Sequence, residues 1–369
     1  MKPDAVKLGD ICEFFYGDGL IEAERTGGEF PVYGSNGIVG WHDKAITKGT
    51  TIIIGRKGSI GEVHYSEKPC WPIDTTYYVD LTKKPCNLRW LYYALLTLNL
   101  PQLNKSAAVP GLNRSDAYEK ELIFPPLPEQ QRIAARLDKA DRLRRLRRYA
   151  LELGETYLQS VFLEMFGDAF TNPKEWKIQA LGRLLSIPPH IGTPQPSQEE
   201  GDQICVRVGE VGDWYVALDS CKRISLRGRD LKKYTLVPGD IVLARAIGSE
   251  SHLGKLSVLG ESDTPVVFDS HLMRLRPDNS AICTEFLAQW FRTDGGKARF
   301  WEQAHRTAVQ FNINAEQISE IKIPLPPLAL QEQFAGVVRK YDRLRVQQQE
   351  SLRQAEMLFG ALLERAFVA

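Results

Sequence analysis

The segment PPLPEQQRIAARLDKADRLRR, which begins at Pro125, returns as PPLALQEQFAGVVRKYDRLRV from Pro326. At a constant offset of 201, Pro125, Pro126, Leu127 and Gln130 match Pro326, Pro327, Leu328 and Gln331. Ala134, Lys139, Asp141, Arg142, Leu143 and Arg144 match Ala335, Lys340, Asp342, Arg343, Leu344 and Arg345, while Asn113 and Phe166 match Asn314 and Phe367. A gap-free match of this length marks an internal duplication. Both copies read as long helices. Prolines stand just before each start, and Gly167 with Asn172-Pro173 ends the first. In the first copy Leu143, Leu146, Ala150, Leu153 and Tyr157 recur at three- and four-residue spacings. In the second, Phe334, Val337, Tyr341, Leu344, Ala355, Leu358 and Leu362 do the same. That is coiled-coil spacing, and these residues are the expected apolar seam. About 37 residues at 1.5 Å each span roughly 55 Å. Two such helices can pair antiparallel; the alternative is that each packs only on its own globular part.

Working outward, weaker echoes precede each helix. VKLGDI near residue 6 resembles QALGRL near 179, TKGTTIIIGRKGS (47–59) resembles VPGDIVLARAIGS (237–249), and PIDTTYYV (72–79) resembles VFDSHLMRL (267–275). Their offset grows from 173 to 195, so the second globular part carries roughly 28 extra residues before its helix, by difference from the offset of 201. The globular parts read as β-rich. Thr50–Ile54 and Asp240–Ala244 are short β-branched or apolar runs after Gly turns. FPVYGSNGIVGWH (30–42) reads as a hairpin, and Leu88–Leu98 and Thr284–Phe291 as helices. The expected fold is α+β: globular parts 1–124 and 168–325, with helices 125–167 and 326–369 as antiparallel spacers.

Composition is that of an ordinary globular chain. Its 369 residues suit two domains, and 47 Lys+Arg against 46 Asp+Glu leave a net charge of +1. Coating of nucleic acid by bulk charge is excluded, but local basic faces are not. Six cysteines without a C-x-x-C pair suit reduced thiols, and no signal-peptide pattern or membrane-length apolar run occurs, so a cytoplasmic protein is expected.

The strings FPVYGSNGIVGW, IIIGRKGSIG, FPPLPEQQRIAARLDKADRL, IPLPPLALQEQF and the FGD…NP…W join at 166–176, in that order over nearly the whole chain, resemble the specificity subunit of type I restriction–modification systems. The resemblance implies two target-recognition domains, each reading one half of an asymmetric bipartite double-stranded DNA target. It implies helices that act as a ruler and dock two methyltransferase subunits, with restriction subunits joining the larger complex. It also implies a non-catalytic chain, with S-adenosylmethionine, ATP and Mg2+ belonging to the partners. The opening PPLALQEQ departs from PPLPEQ, and the second helix is less basic than the first.

Catalytic motifs are missing from the sequence. The Pro-Pro pairs follow Phe124, Ile187 and Leu325, so no Asn/Asp-Pro-Pro-aromatic tetrapeptide of an adenine methyltransferase exists. GSESHLGKL (248–256) fails the phosphate-loop spacing, and the six histidines show no metal spacing. What remains is binding: Lys and Arg for phosphates, and Arg, Asn and Gln for base edges. In the first globular part the DNA-contact candidates are Tyr33, Ser35 and Asn36 in one turn, Arg56, Lys57 and Ser59 in a second, and Lys105, Asn113 and Arg114 before the helix. In the second they are Arg245, Ser249, His252 and Lys255 at the matching strand exit, and Arg306, Gln310, Asn312 and Asn314 before the helix. A single exposed Arg or Asn is commonly just solvated, and Asn113 and Asn314 have an alternative as turn or cap residues. Candidates for partner docking are Arg132, Arg136, Leu143, Leu146, Leu153, Phe334, Val337, Tyr341, Leu344 and Leu358. The run 132–148 holds eight Lys/Arg against two acids, and 331–353 holds five against three. A charge run is most often a solvated face. Two other functions stay open on sequence: a protein-binding coiled-coil scaffold without DNA readout, and, less compatible with the motifs, a self-sufficient methyltransferase or nuclease.

Overall fold

The computed structural model describes residues 5–79, 82–103, 110–212, 214–247, 254–306 and 311–367. The chain divides into two compact units. One comprises residues 1–149 with 348–369, and the other residues 150–347.

In the first unit the strand Ala5–Lys7 pairs antiparallel with Glu121–Ile123. A four-stranded antiparallel sheet runs in the order Phe15–Tyr16, Thr76–Val79, Thr51–Gly55, Val63–Ser66. Thr51–Gly55 is buried at every position, which is why it reads as a continuous apolar run rather than an alternating one. A three-stranded sheet is built on the hairpin Phe30–Gly34 and Gly37–His42, with Trp71–Pro72 added in parallel. The helix Leu88–Thr97 covers the core, with Trp90, Leu91 and Ala94 buried beside Ile52, Ile54 and Val79. Asn87 caps this helix by accepting from the Trp90 amide.

The second unit repeats this plan. Lys177–Ala180 pairs with Lys322–Leu325. The four-stranded sheet runs Leu185–Ile191, Leu272–Pro277, Ile241–Ala244, Leu256–Val258. Gln203–Val206 lies between antiparallel Lys222–Ile224 and parallel Val266–Phe268. Thr284–Arg292 is the covering helix. The second unit also contains the helices Gly228–Tyr234 and Asp294–Gln303 and a small sheet of Ala246–Ile247, Phe311–Asn312 and His305–Arg306.

The duplicated segments form helices Leu127–Phe166 and Leu328–Phe367, 40 residues each. Gly167, at φ +79°, ends the first by donating to the Leu163 carbonyl at 2.8 Å, a conformation that suits glycine. The helices pair antiparallel inside each unit. In the first unit Leu137 and Ala140 pack with Phe359, and Arg148 bonds Glu356 at 2.8 Å. In the second, Phe162 and Phe166 meet Phe334 at ring distances of 5.4 and 5.6 Å.

The expected seam is corrected on the first helix. Leu143, Leu146, Leu153 and Tyr157 are 38–55% exposed, and Leu344 and Leu358 on the second are about half exposed. The inner face instead carries Ala134, Leu137, Ala140 and the buried Asp141, with the Arg144 guanidinium 4.0 Å over the Phe359 ring. Arginine stems and Asp–Arg pairs fill much of the interface, so apolar periodicity selected the outer face. On the second helix Phe334, Val337 and Tyr341 do join the core of their unit. Phe334, fully buried there, is removed from the partner-facing candidates.

Candidate nucleic-acid interface

In the first unit three polar segments converge at one end of the four-stranded sheet. The Ser35–Asn36 turn joins the hairpin strands, and the His64 Nε2 lies 3.2 Å from the Ser35 carbonyl. The turn after Gly55 sits beside it: a Cβ added at Gly58 would lie 3.2 Å from the Ser35 Oγ. The third segment arrives through the Leu112 amide, which donates to the Arg56 carbonyl at 2.9 Å. Ser35, Asn36, Arg56, Lys57, Ser59 and Arg114 are thereby gathered, with Asn36 and Lys57 exposed. Tyr33 belongs to the same hairpin but is only 8% exposed, and burial raises its hydroxyl pKa.

Tyr16 is a member of this cluster that the sequence reading missed. Its ring is 52% exposed and lies between two guanidiniums, Arg56 at 5.5 Å and Arg114 at 5.2 Å. An exposed aromatic ahead of Gly17-Asp18-Gly19 was the available signal. Tyr77 lies beneath it and donates to the Leu112 carbonyl at 3.0 Å, and burial together with Tyr16 pushes its pKa up to about 12. An aromatic face flanked by two arginines beside exposed Lys and Asn can contact phosphates and stack on bases.

The arginines recurring at 56 and 245 have a structural task in both units. Arg56 donates through Nε and Nη2 to the Asp74 carbonyl at 3.1 and 2.6 Å. Arg245 donates through Nη1 to the Ser270 carbonyl and through Nη2 to the Asn312 Oδ1, both at 2.8 Å. Their amides bond the Thr75 and His271 carbonyls in the same way. Each clamps its strand exit to the next strand's entry, and burial lowers the Arg245 pKa. Asn113 and Asn314 are helix N-caps, accepting from the Ser115 and Gln317 amides at 2.9 and 2.8 Å. The cap alternative therefore describes both.

In the second unit Arg245 and Asn312 come together, and Lys255 is exposed on the strand-exit loop. Arg306 lies in a two-residue strand opposite Phe311. Lys105, Ser249, His252 and Gln310 fall outside the described residues. On the first long helix Arg132 and Arg136 are exposed, with Arg132 paired to Glu129 at 2.6 Å.

Gln130 and Gln331, matched in sequence without an assigned role, form equivalent staples. Each is 0% exposed. Gln130 donates to the Pro125 carbonyl at 2.9 Å and accepts from the Asn87 amide at 2.8 Å. Gln331 donates to Pro326 at 2.8 Å and accepts from the Cys283 amide at 3.0 Å. Each locks the start of a long helix to the start of its covering helix.

Among the described residues no group of three His, Cys, Asp or Glu side chains is placed to hold a metal ion. No helix among them is long and apolar enough to cross a membrane.

Comparison with known proteins agrees with this architecture. The chain is 24% identical over 287 residues to the StySPI type I restriction enzyme specificity subunit of Salmonella potsdam, covering 72% of this chain and 61% of that one. It is 30% identical over 142 residues to the EcoprrI specificity subunit of Escherichia coli, covering 37% and 35%. The matches thus span less than two thirds of these relatives. The crystal structure of a type I restriction-modification S subunit from M. genitalium superposes with a TM-score of 0.65 at 17% identity, covering 100% of this chain and 99% of that one. The family model for the type I restriction modification DNA specificity domain matches residues 3–152 and again 173–355, so the chain belongs to that family and carries two copies of its domain.

Proposed function

We propose that the chain is the DNA specificity subunit of a type I restriction–modification complex. Each recognition domain reads one half of a bipartite target, and the paired helices set the spacing between the halves. The observation that carries this reading is the duplication: one domain plan occurs twice, each copy stapled to a helix pair by the same buried glutamine. The two domains differ in sequence, so the two half-sites differ. Tyr16, Asn36, Lys57 and Arg114 are the contacts we assign to DNA in the first domain, and Lys255, Arg306 and Asn312 in the second. The chain does no chemistry itself in this reading. Methyltransferase subunits dock on the outer faces of the helices, and with restriction subunits they bring S-adenosylmethionine, ATP and Mg2+. The complex works in the cytoplasm.

The test is a methylome. The chain is co-expressed with its methyltransferase partner, and methylated adenine is mapped at single-base resolution. A split motif present only with this chain, of which one half changes when residues 1–124 are exchanged, is the expected result. An active partner that binds the chain yet yields no chain-dependent motif sinks the reading.

A further inference from the structure

At one matched position the two domains differ in chemistry. In the first, Phe15 pairs across the sheet with Tyr78, and their rings stack at 5.6 Å. In the second, the equivalent pair is His190 opposite Arg274. The equivalence is set by the next strand, where Ile53 faces Tyr78 and Val242 faces Arg274. The matched position thus holds two aromatic rings in the first domain and an imidazole with a guanidinium in the second.

Arg274 is only 7% exposed, yet no carboxylate pairs with it among the described residues. Its Nη1 makes two long bonds, to the Lys233 and Thr235 carbonyls at 3.4 and 3.3 Å, and its Nε has no partner. The Asp240 carboxylate, whose charge also acts on Arg274, is bonded instead to Arg276 through a two-bond pair at 2.6 and 2.7 Å. The buried Nε2 of His190 is likewise without a partner. His190 and Arg274 line a cavity of about 650 Å³ whose rim carries the exposed Lys232 and Lys233. Pro188 and Pro189 form part of its wall, at a bulge where the strand has no amide hydrogens to offer. Burial first, and then the charges of Arg274 and Lys233, lower the His190 pKa. A buried, unpaired guanidinium is costly, and an anion bound beside it removes that cost.

We propose that His190, Lys232, Lys233 and Arg274 form a phosphate-binding site on the second recognition domain. Arginine and lysine around an open cavity suit a phosphate with its several acceptor oxygens. The phosphate comes either from a DNA backbone, which rests on the function proposed above, or from free phosphate.

The full chain, labelled at its histidines, is titrated with inorganic phosphate at constant ionic strength set with chloride. The His190 ring resonance is assigned with His190→Gln. A saturable shift is expected. Lys232→Gln/Lys233→Gln, which alters two exposed side chains and keeps the fold, raises the phosphate Kd by about tenfold or more. In parallel, the salt dependence of binding to duplex DNA is measured. If DNA supplies the phosphate, duplex displaces inorganic phosphate and the double variant lowers the log–log salt slope by about two. If free phosphate is the ligand, the resonance shift stands and the slope does not change. No saturable shift together with an unchanged slope overturns the site. A missing methylation motif alongside a preserved phosphate shift would instead refute the specificity function and leave the site standing.

Discussion

Gln130 and Gln331 show how one side chain can decide a junction. Each satisfies one backbone carbonyl and one backbone amide and is fully buried. Replacing either by Ala strands both groups, at a cost of about 1–3 kcal/mol for each group left unpaired. Gln130→Ala is therefore expected to lower the denaturant midpoint without changing the m-value, and so is Gln331→Ala. The repeat was legible at these positions, but its reason was not. Recurrence at 56/245 suggested base contacts, whereas a clamp explains it; at 113/314 the cap role, already the alternative on sequence, is what the structure shows. A duplicated residue reports what both copies share, which is scaffold. On the proposed function, contacts to two different half-sites are better sought where the copies differ, as at Tyr16. The thiols give a second residue-scale prediction. Burial pushes Cys12 and Cys205 up to about 12, and both are fully buried. The unfolded chain releases these protons near pH 8.5 while the native chain keeps them. Stability is thus intact below about pH 8.5 and falls above it, by about 1.4 kcal/mol per pH unit for each thiol. Thermal melts between pH 8 and 10 should show this alkaline loss, and it should be shallower in Cys12→Ala and Cys205→Ala.

At the scale of elements, the runs 50–54 and 240–244, the hairpin 30–42 and the two covering helices were read within a residue or two, because buried apolar runs are local signals; strands such as Phe15–Tyr16, Leu185–Ile191 and Gln203–Val206 were not. The helix interface was not, because the first long helix is apolar on two faces. Its inner face holds small residues and arginine stems, and close approach depends on Gly154, where an added Cβ would lie 2.4 Å from the Tyr341 ring. Gly154→Ala must displace that ring, and overpacking of this kind costs about 1–3 kcal/mol. The outer stripe behaves differently. Leu143, Leu146 and Tyr149 are 38%, 55% and 57% exposed. Substituting all three by Ser should change the melting temperature little, since exposed positions contribute within about 0.5 kcal/mol each. On the proposed function it should abolish co-purification with the methyltransferase subunit, and undiminished co-purification would move the docking face elsewhere.

At the scale of the molecule, the two copies are kept distinct by a charge reversal. In the first unit Arg89 of the covering helix bonds Asp138 of the long helix, with Tyr93 also donating to that carboxylate at 2.7 Å. Arg89 sits over Tyr65 at 4.4 Å, Tyr92 at 5.2 Å and Tyr93 at 5.4 Å. At the matched positions of the second unit the signs are exchanged: Glu285 on the covering helix accepts from Arg339 on the long helix at 2.8 Å. Grafting the second domain onto the first helix would set Glu285 against Asp138, and the reverse graft would set Arg89 against Arg339. Like charges in such a partly buried place are repulsive, so a chimera that exchanges the domains but leaves the helices is expected to express poorly or melt early. Adding Asp138→Arg to the first chimera restores an opposite-charge pair and should recover stability. In the unswapped chain Asp138→Arg destabilises, and Arg89→Glu/Asp138→Arg recovers part of the loss, with a coupling of about 0.5–3 kcal/mol in a double-mutant cycle. Zero coupling would mean that the tyrosine cage around Arg89, and not the charge, matches domain to helix. On the proposed function, a rescued chimera co-expressed with the methyltransferase subunit should direct methylation to a motif whose half-sites are exchanged in order but individually unchanged.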